Sequence, residues 1–166
     1  MAGGETTLAH DVLIWSHAAA GVISFAAGIV SLRLRSVASW WFRGYLAALV
    51  ALVVFMVAVD AVDWLDLDLA SRLVYTGLIV LGGYMLWRAW QAQLELRVQS
   101  SRWRTKYLDH VGFTLISLFD GFVIVGAIDL HLPGWLVAVI AVAGVVVGIA
   151  TIGRLKKRWI PEPRPA

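Results

Sequence analysis

The chain contains no cysteine. Disulfides, iron–sulfur clusters, thiolate metal sites and cysteine nucleophiles are thereby excluded together, and the redox state of its compartment leaves no mark on it. Charge is scarce as well. Only 15% of residues are Asp, Glu, Lys or Arg while 60% are hydrophobic and the mean hydropathy is +0.79, a balance outside the range of soluble globular domains. Met1 to Asp11 holds no basic side chain, and the apolar run that follows is long and lacks a small-residue cleavage site, so a retained helix is expected there rather than a signal peptide. Of the 4 prolines, Pro161, Pro163 and Pro165 stand in the C-terminal tail, which should be extended and mobile. Also missing are a Walker loop, a Ser-His-Asp order, a zinc HExxH and any carboxylate pair at helical spacing, so no motif names a reaction.

What the chain does have is five long apolar stretches: Val12 to Leu32, Gly44 to Val62, Leu73 to Trp90, Tyr107 to Ile128 and Trp135 to Ile152. Each is close to the roughly 20 residues needed to cross a hydrocarbon core of about 30 Å. None alternates with period two, which removes the barrel, the other fold that satisfies its backbone in lipid. The expected fold is therefore an all-α integral membrane protein, a bundle of five transmembrane helices. Taken as markers of the gaps, the 14 Lys and Arg residues are expected in alternate gaps between the stretches, with Arg72 the exception. Cytoplasmic loops carry such an excess, which puts the N-terminus outside, the C-terminus in the cytoplasm and the acidic loop with Asp60, Asp63, Asp66 and Asp68 outside, in a multi-pass protein of the bacterial inner membrane.

The expected organisation is an extracytoplasmic segment over 1–11, a transmembrane domain over 12–152 and a basic, proline-containing cytoplasmic tail over 153–166. Short outer connections favour helix two beside three and four beside five. The 9 Trp lie at or just beyond span ends, where interfacial anchoring accounts for them. The same topology accounts for the basic residues, so the partner is a lipid bilayer and not nucleic acid.

His17-x3-Gly21-x2-Ser24-x3-Gly28 in helix one and His110-x3-Thr114-x2-Ser117-x3-Gly121 in helix four repeat one spacing, and each set falls within a stripe of about 60°. Such small, polar faces allow close helix packing, as does Gly144-x3-Gly148 in helix five. The two similar helices cross in opposite directions, so an inverted repeat, as in carriers, is an alternative source of the pattern. Ionisable residues within spans cost about 2.5 to 3.5 kcal/mol each and so mark candidate functional positions. His17 is expected roughly 8 Å, Asp120 about 13 Å and Asp60 only a few ångströms below the outer boundary, counted from the rise per residue. Asp120 needs a partner from another helix, with His17 the best match in depth and Arg72 or Tyr84 weaker ones. Asp109 and His110 lie near the inner boundary, where snorkelling accounts for them.

A haem held by His17 and His110 fails, because their depths differ by roughly 20 Å while two axial nitrogens stand about 4 Å apart. The weak metal candidates are His10, His17 and His131 near the outer face, with Asp11, Asp63 and Asp129 at similar depth.

Three places resemble the bacterial membrane proteins grouped as domain of unknown function 2306: His17-x3-Gly21 with Gly28, Leu81-Gly82-Gly83-Tyr84, and His110 opening helix four. The order and spacing of spans are similar too. The family pattern has His and Arg in the first inner loop and an Arg after Gly-Tyr, where this chain has Trp40, Trp41 and Arg43, and Met85. The resemblance implies a topology and no activity, since the family's function is not established. The expected role is a non-enzymatic packing or accessory subunit of a membrane assembly or homo-oligomer. The alternative is a proton- or cation-linked carrier, or a holder of haem, quinone or metal, using His17, Asp60, Asp120 and His110.

Overall fold

The computed structural model describes residues 3–33, 39–65, 67–130 and 132–159, and their regular structure is helical throughout. The helices are α1 (Gly3–Arg33), α2 (Ser39–Asp63), α3 (Leu69–Val98), α4 (Trp103–Asp129) and α5 (Gly134–Trp159). Each contains one apolar stretch and overruns it. Apolarity marks the part suited to lipid, whereas backbone hydrogen bonding continues until a residue stops it. α1 thus takes in Gly3 to Asp11, which the sequence sets apart as a separate segment, and α5 takes in Arg154 to Arg158 from the expected tail. The prolines beyond Trp159 lie outside the described residues.

α3 continues through the helix-forming Gln91 to Leu96 and ends at Gln99, whose φ of 48° is left-handed and whose amide donates to the Glu95 carbonyl at 3.0 Å. That is the geometry of a helix C-cap. α5 begins directly after Pro133, whose missing amide costs nothing at a helix start, and the Leu136 amide donates to the Pro133 carbonyl at 2.9 Å.

Four helical stretches are long and apolar enough to cross a membrane: His10–Leu32, Trp40–Asp63, Trp103–Ala127 and Gly134–Trp159. α3, with 30 residues, is long enough but is the least apolar helix and carries Arg72, Arg88, Glu95 and Arg97.

The chain divides into two compact units. One is formed by α1, α2 and α3 up to Leu86, the other by α3 from Trp87 with α4 and α5. In the first, α2 buries Phe42, Tyr45, Leu49 and Leu52 at helical spacing. Asp60, about five turns after Phe42, falls on the same face and is only 5% exposed. α1 buries Ala20, Gly21, Ser24, Gly28 and Ser31, a face of small side chains. Gly82 turns to α2, since a Cβ there would stand 3.1 Å from Met56 and Val53, whereas Gly83 opens on empty space.

In the second unit α4 carries most of the core, with Tyr107, Leu108, Val111 and Thr114 fully buried. α5 packs on α4 through glycines. A Cβ on Gly112 would lie 2.7 Å from Ile152, one on Gly144 would lie 2.7 Å from Phe119, and one on Gly148 would overlap Ile116. Backbone approach of this kind substitutes in lipid for the hydrophobic effect, which gives no preference for protein over acyl chain. α5 itself has no buried residue and exposes Trp135, Val139, Val142, Val146 and Ile149.

Candidate functional site

Two clusters of ionisable side chains stand out, one in each unit. In the first unit, His10 and His17 share a face of α1, and Asp60 and Asp63 share a face of α2, by their helical spacing. His10 Nδ1 lies 3.2 Å from Asp63 Oδ1, with each side chain about one third exposed. His17 Nδ1 stands 3.1 Å from the Leu52 carbonyl oxygen. A carbonyl can only accept, so Nδ1 carries a proton. His17 thereby ties α1 to α2. Asp60 Oδ2 is buried and has no hydrogen-bond partner among the described residues, and His17 and Asp63 are the charges that bear on it.

Arg72, the basic residue that departs from the alternation, lies in the first turn of α3 and reaches back to the α2–α3 connection. Its guanidinium donates to the Leu65 carbonyl at 3.3 Å and lies 5.6 Å from the Trp64 ring centroid. Tyr84 is exposed, and the Ser24 hydroxyl is buried without a partner among the described residues.

The second cluster lies where α3 ends, α4 begins and α5 ends. Arg88 donates to the Asp109 carbonyl at 2.9 Å and its guanidinium lies 5.1 Å from the Phe113 ring centroid. The Asp109 carboxylate accepts from Lys156, which joins α4 to α5. Glu95 accepts from Lys106 at 2.9 Å and from Ser100 at 3.1 Å, which joins α3 to α4. The Lys106 hydrogen bond, more than any other influence, holds the Glu95 carboxyl below the ordinary glutamate range. His110 Nδ1 is buried with no hydrogen-bond partner among the described residues, and the charges of Arg88, Glu95, Asp109 and Lys106 bear on the ring. Asp109, expected only to snorkel, also bonds Arg88 through its carbonyl and Lys156 through its carboxylate, whereas no hydrogen bond ties the His110 Nδ1 into this network among the described residues.

Asp120 also belongs to the second unit. Its Oδ1 is buried, has no hydrogen-bond partner among the described residues, and sits 2.9 Å from where a Gly144 Cβ would be. His17 and Asp120, matched in depth by the sequence, are described in different units and have different neighbours, Leu52 for one and Gly144 for the other. Among the described residues no three His, Asp or Glu side chains stand close enough to hold a metal ion. His131 lies outside the described residues, as does the side chain of Asp129.

Sequence reasoning missed Arg88. It lies not in a gap but inside the third stretch, within α3, so the rule that all basic residues except Arg72 sit between spans needs this correction. The signal was available, since a guanidinium inside an apolar run carries the same cost that marks Asp60 and Asp120. No protein-family model, curated protein or solved structure matches the chain. Its own residues are the whole ground for a functional reading.

Proposed function

We propose that the chain is a five-span protein of a bacterial inner membrane, N-terminus outside and C-terminus cytoplasmic, and that its work is packing. It acts as a non-enzymatic subunit of a membrane assembly or as a homo-oligomer. The observation that carries this reading is where the costly residues within the helices are spent. His17 bonds the backbone of a neighbouring helix, as does Arg88, and Gly112, Gly144 and Gly148 let side chains of the facing helix, Ile152, Phe119 and Ile116, pack directly on the α4 and α5 backbones. These are the devices by which helices associate in lipid. The apolar outer face of α5 supports a bilayer or a second membrane protein as its neighbour. The resemblance to domain of unknown function 2306 belongs to the same proposal; it supports the order of spans and adds no activity.

A second reading is a proton- or cation-linked carrier or a cofactor holder. It is favoured by Asp60 Oδ2, Asp120 Oδ1 and His110 Nδ1, three buried polar atoms without hydrogen-bond partners among the described residues. One experiment separates the two. The parent protein, His17→Ala and Asp120→Asn are reconstituted in proteoliposomes, proton and cation flux are measured, and the gently solubilised parent is weighed intact and its visible spectrum recorded. The packing reading expects no flux from the parent, extra mass from a partner or second copy, and modest stability losses in the variants. Flux that disappears in folded variants, or a haem or pigment band, overturns it.

A further inference from the structure

At the end of the second unit where α3 stops and α4 starts, the acids are already matched. Glu95 accepts from Lys106 and Asp109 from Lys156. Among the described residues the surplus is wholly basic. Arg97, Arg102, Arg154, Lys157 and Arg158 are exposed and have no acidic partner among the described residues, and Arg104 lies over the Trp103 ring at 5.3 Å from its centroid. These six come from the last turn of α3, the turn leading into α4 with its first residues, and the last turns of α5, three elements that the two ion pairs and the contact of Gly112 with Ile152 hold together. The paired residues therefore work as a frame, and the unpaired ones form a cationic array fixed upon it. Trp103 and Trp159 are half-buried in the same region, the setting of residues that anchor at a headgroup layer.

We propose that this array is a binding surface for the headgroups of anionic phospholipids. Three features select this partner. The array follows the exposed apolar residues Val146, Val147 and Ile149 of α5, so a ligand bearing both an anionic phosphodiester and acyl chains meets both surfaces at once. The acids that would repel it are neutralised by internal pairing. Its charges come from several helix ends rather than one flexible tail, so a lipid that binds them also bridges α3, α4 and α5.

The test titrates phosphatidylglycerol carrying a fluorescent acyl chain into the detergent-purified full chain, with phosphatidylcholine carrying the same chain as reference. Phosphatidylglycerol should bind at least about a hundredfold tighter, with the preference shrinking as salt rises. Each Lys or Arg near an anionic surface is worth about fivefold. The triple variant Arg102→Gln, Lys157→Gln, Arg158→Gln should therefore lose about a hundredfold with its helical circular dichroism unchanged. Replacing Arg102 and Arg158 by Lys should retain binding, and Arg72→Gln in the first unit should leave it unaltered. Equal affinity for the two lipids, a triple variant that binds like the parent, or displacement by inorganic phosphate as effective as by phosphatidylglycerol overturns the proposal. Should the triple variant fail to fold, the salt dependence of the parent decides, and a preference independent of salt overturns it.

Discussion

The α1–α2 cluster and the α3–α4–α5 cluster use carboxylates at similar helical positions but meet them with different cations. In the first, histidine faces Asp63 and bears on Asp60, so attraction depends on whether an imidazole holds its second proton. In the second, Lys106 and Lys156 face Glu95 and Asp109, with Arg88 on the adjacent backbone, and the charges are permanent near neutral pH. Among the described residues the first cluster leaves Asp60 Oδ2 without a hydrogen-bond partner and the second leaves His110 Nδ1 so, but the second also joins three helices through its ion pairs. Permanent pairs suit a structural clamp. A histidine-dependent pair beside an unmatched carboxylate is where the chain has room for a change of charge.

The largest effect should come from separating α4 and α5. Gly148→Val or Gly112→Val forces a side chain into Ile116 or Ile152 and should cost about 1 to 3 kcal/mol, read as a fall in the thermal midpoint in detergent. Gly83→Ala, opening on space, should be neutral or slightly stabilising. A similar loss at Gly83 would remove the packing distinction between these glycines.

Next in size is the contrast between two arginines on α3. Arg88→Gln removes a charged hydrogen bond to the Asp109 carbonyl and the guanidinium beside Phe113, and should cost about 1 to 2 kcal/mol by chemical denaturation. Arg72→Gln, at the edge of a connection, should stay within about 0.5 kcal/mol. The reverse order would mean that the clamp lies in the first unit.

The carboxylates sharpen the comparison further. Asp109→Asn weakens a charge-assisted bond from Lys156 and should cost about 1 kcal/mol, whereas Asp60→Asn, at a buried oxygen with no hydrogen-bond partner among the described residues, should be neutral or stabilising in the same assay. Equal losses would show that Asp60 is as firmly matched as Asp109.

The smallest effect belongs to Glu95. Its folded carboxyl titrates below the ordinary glutamate value of 4.5, so its stabilisation is complete above that value and is lost as pH falls through the lower folded one. Lys106 is largely exposed, so Glu95→Gln should cost only a few tenths of a kcal/mol near neutral pH, about what surface pairs contribute. Thermal midpoints of parent and variant should converge at acid pH. A gap that widens with acid would reverse the sign.

The helices were legible because lipid demands a run of apolar residues whatever the tertiary contacts. Their ends were not, since Gly3 to Asp11 and Arg154 to Arg158 extend helices by backbone bonding that hydropathy does not register. Gly144 and Gly148 signalled a close approach, but only the fold names Ile116 and Phe119 as what they approach. Asp60 and His17 could be picked out as charges within spans, while the acceptor of His17, a backbone carbonyl at Leu52, has no signature in a side-chain pattern. Arg88 escaped because a cation near the end of an apolar run resembles a boundary marker, and its inward role is set by Asp109 and Phe113 on another helix.

The proposed five spans require that α3, the least apolar helix, cross the membrane and make their number odd. Because the chain has no cysteine, single replacements Asp11→Cys, Asp68→Cys, Ser101→Cys and Arg158→Cys can each be probed in intact cells with an impermeant maleimide. Asp11→Cys and Asp68→Cys should be labelled at once, and Ser101→Cys and Arg158→Cys only after the membrane is opened. Labelling of Asp68→Cys and Ser101→Cys from the same side would contradict the account.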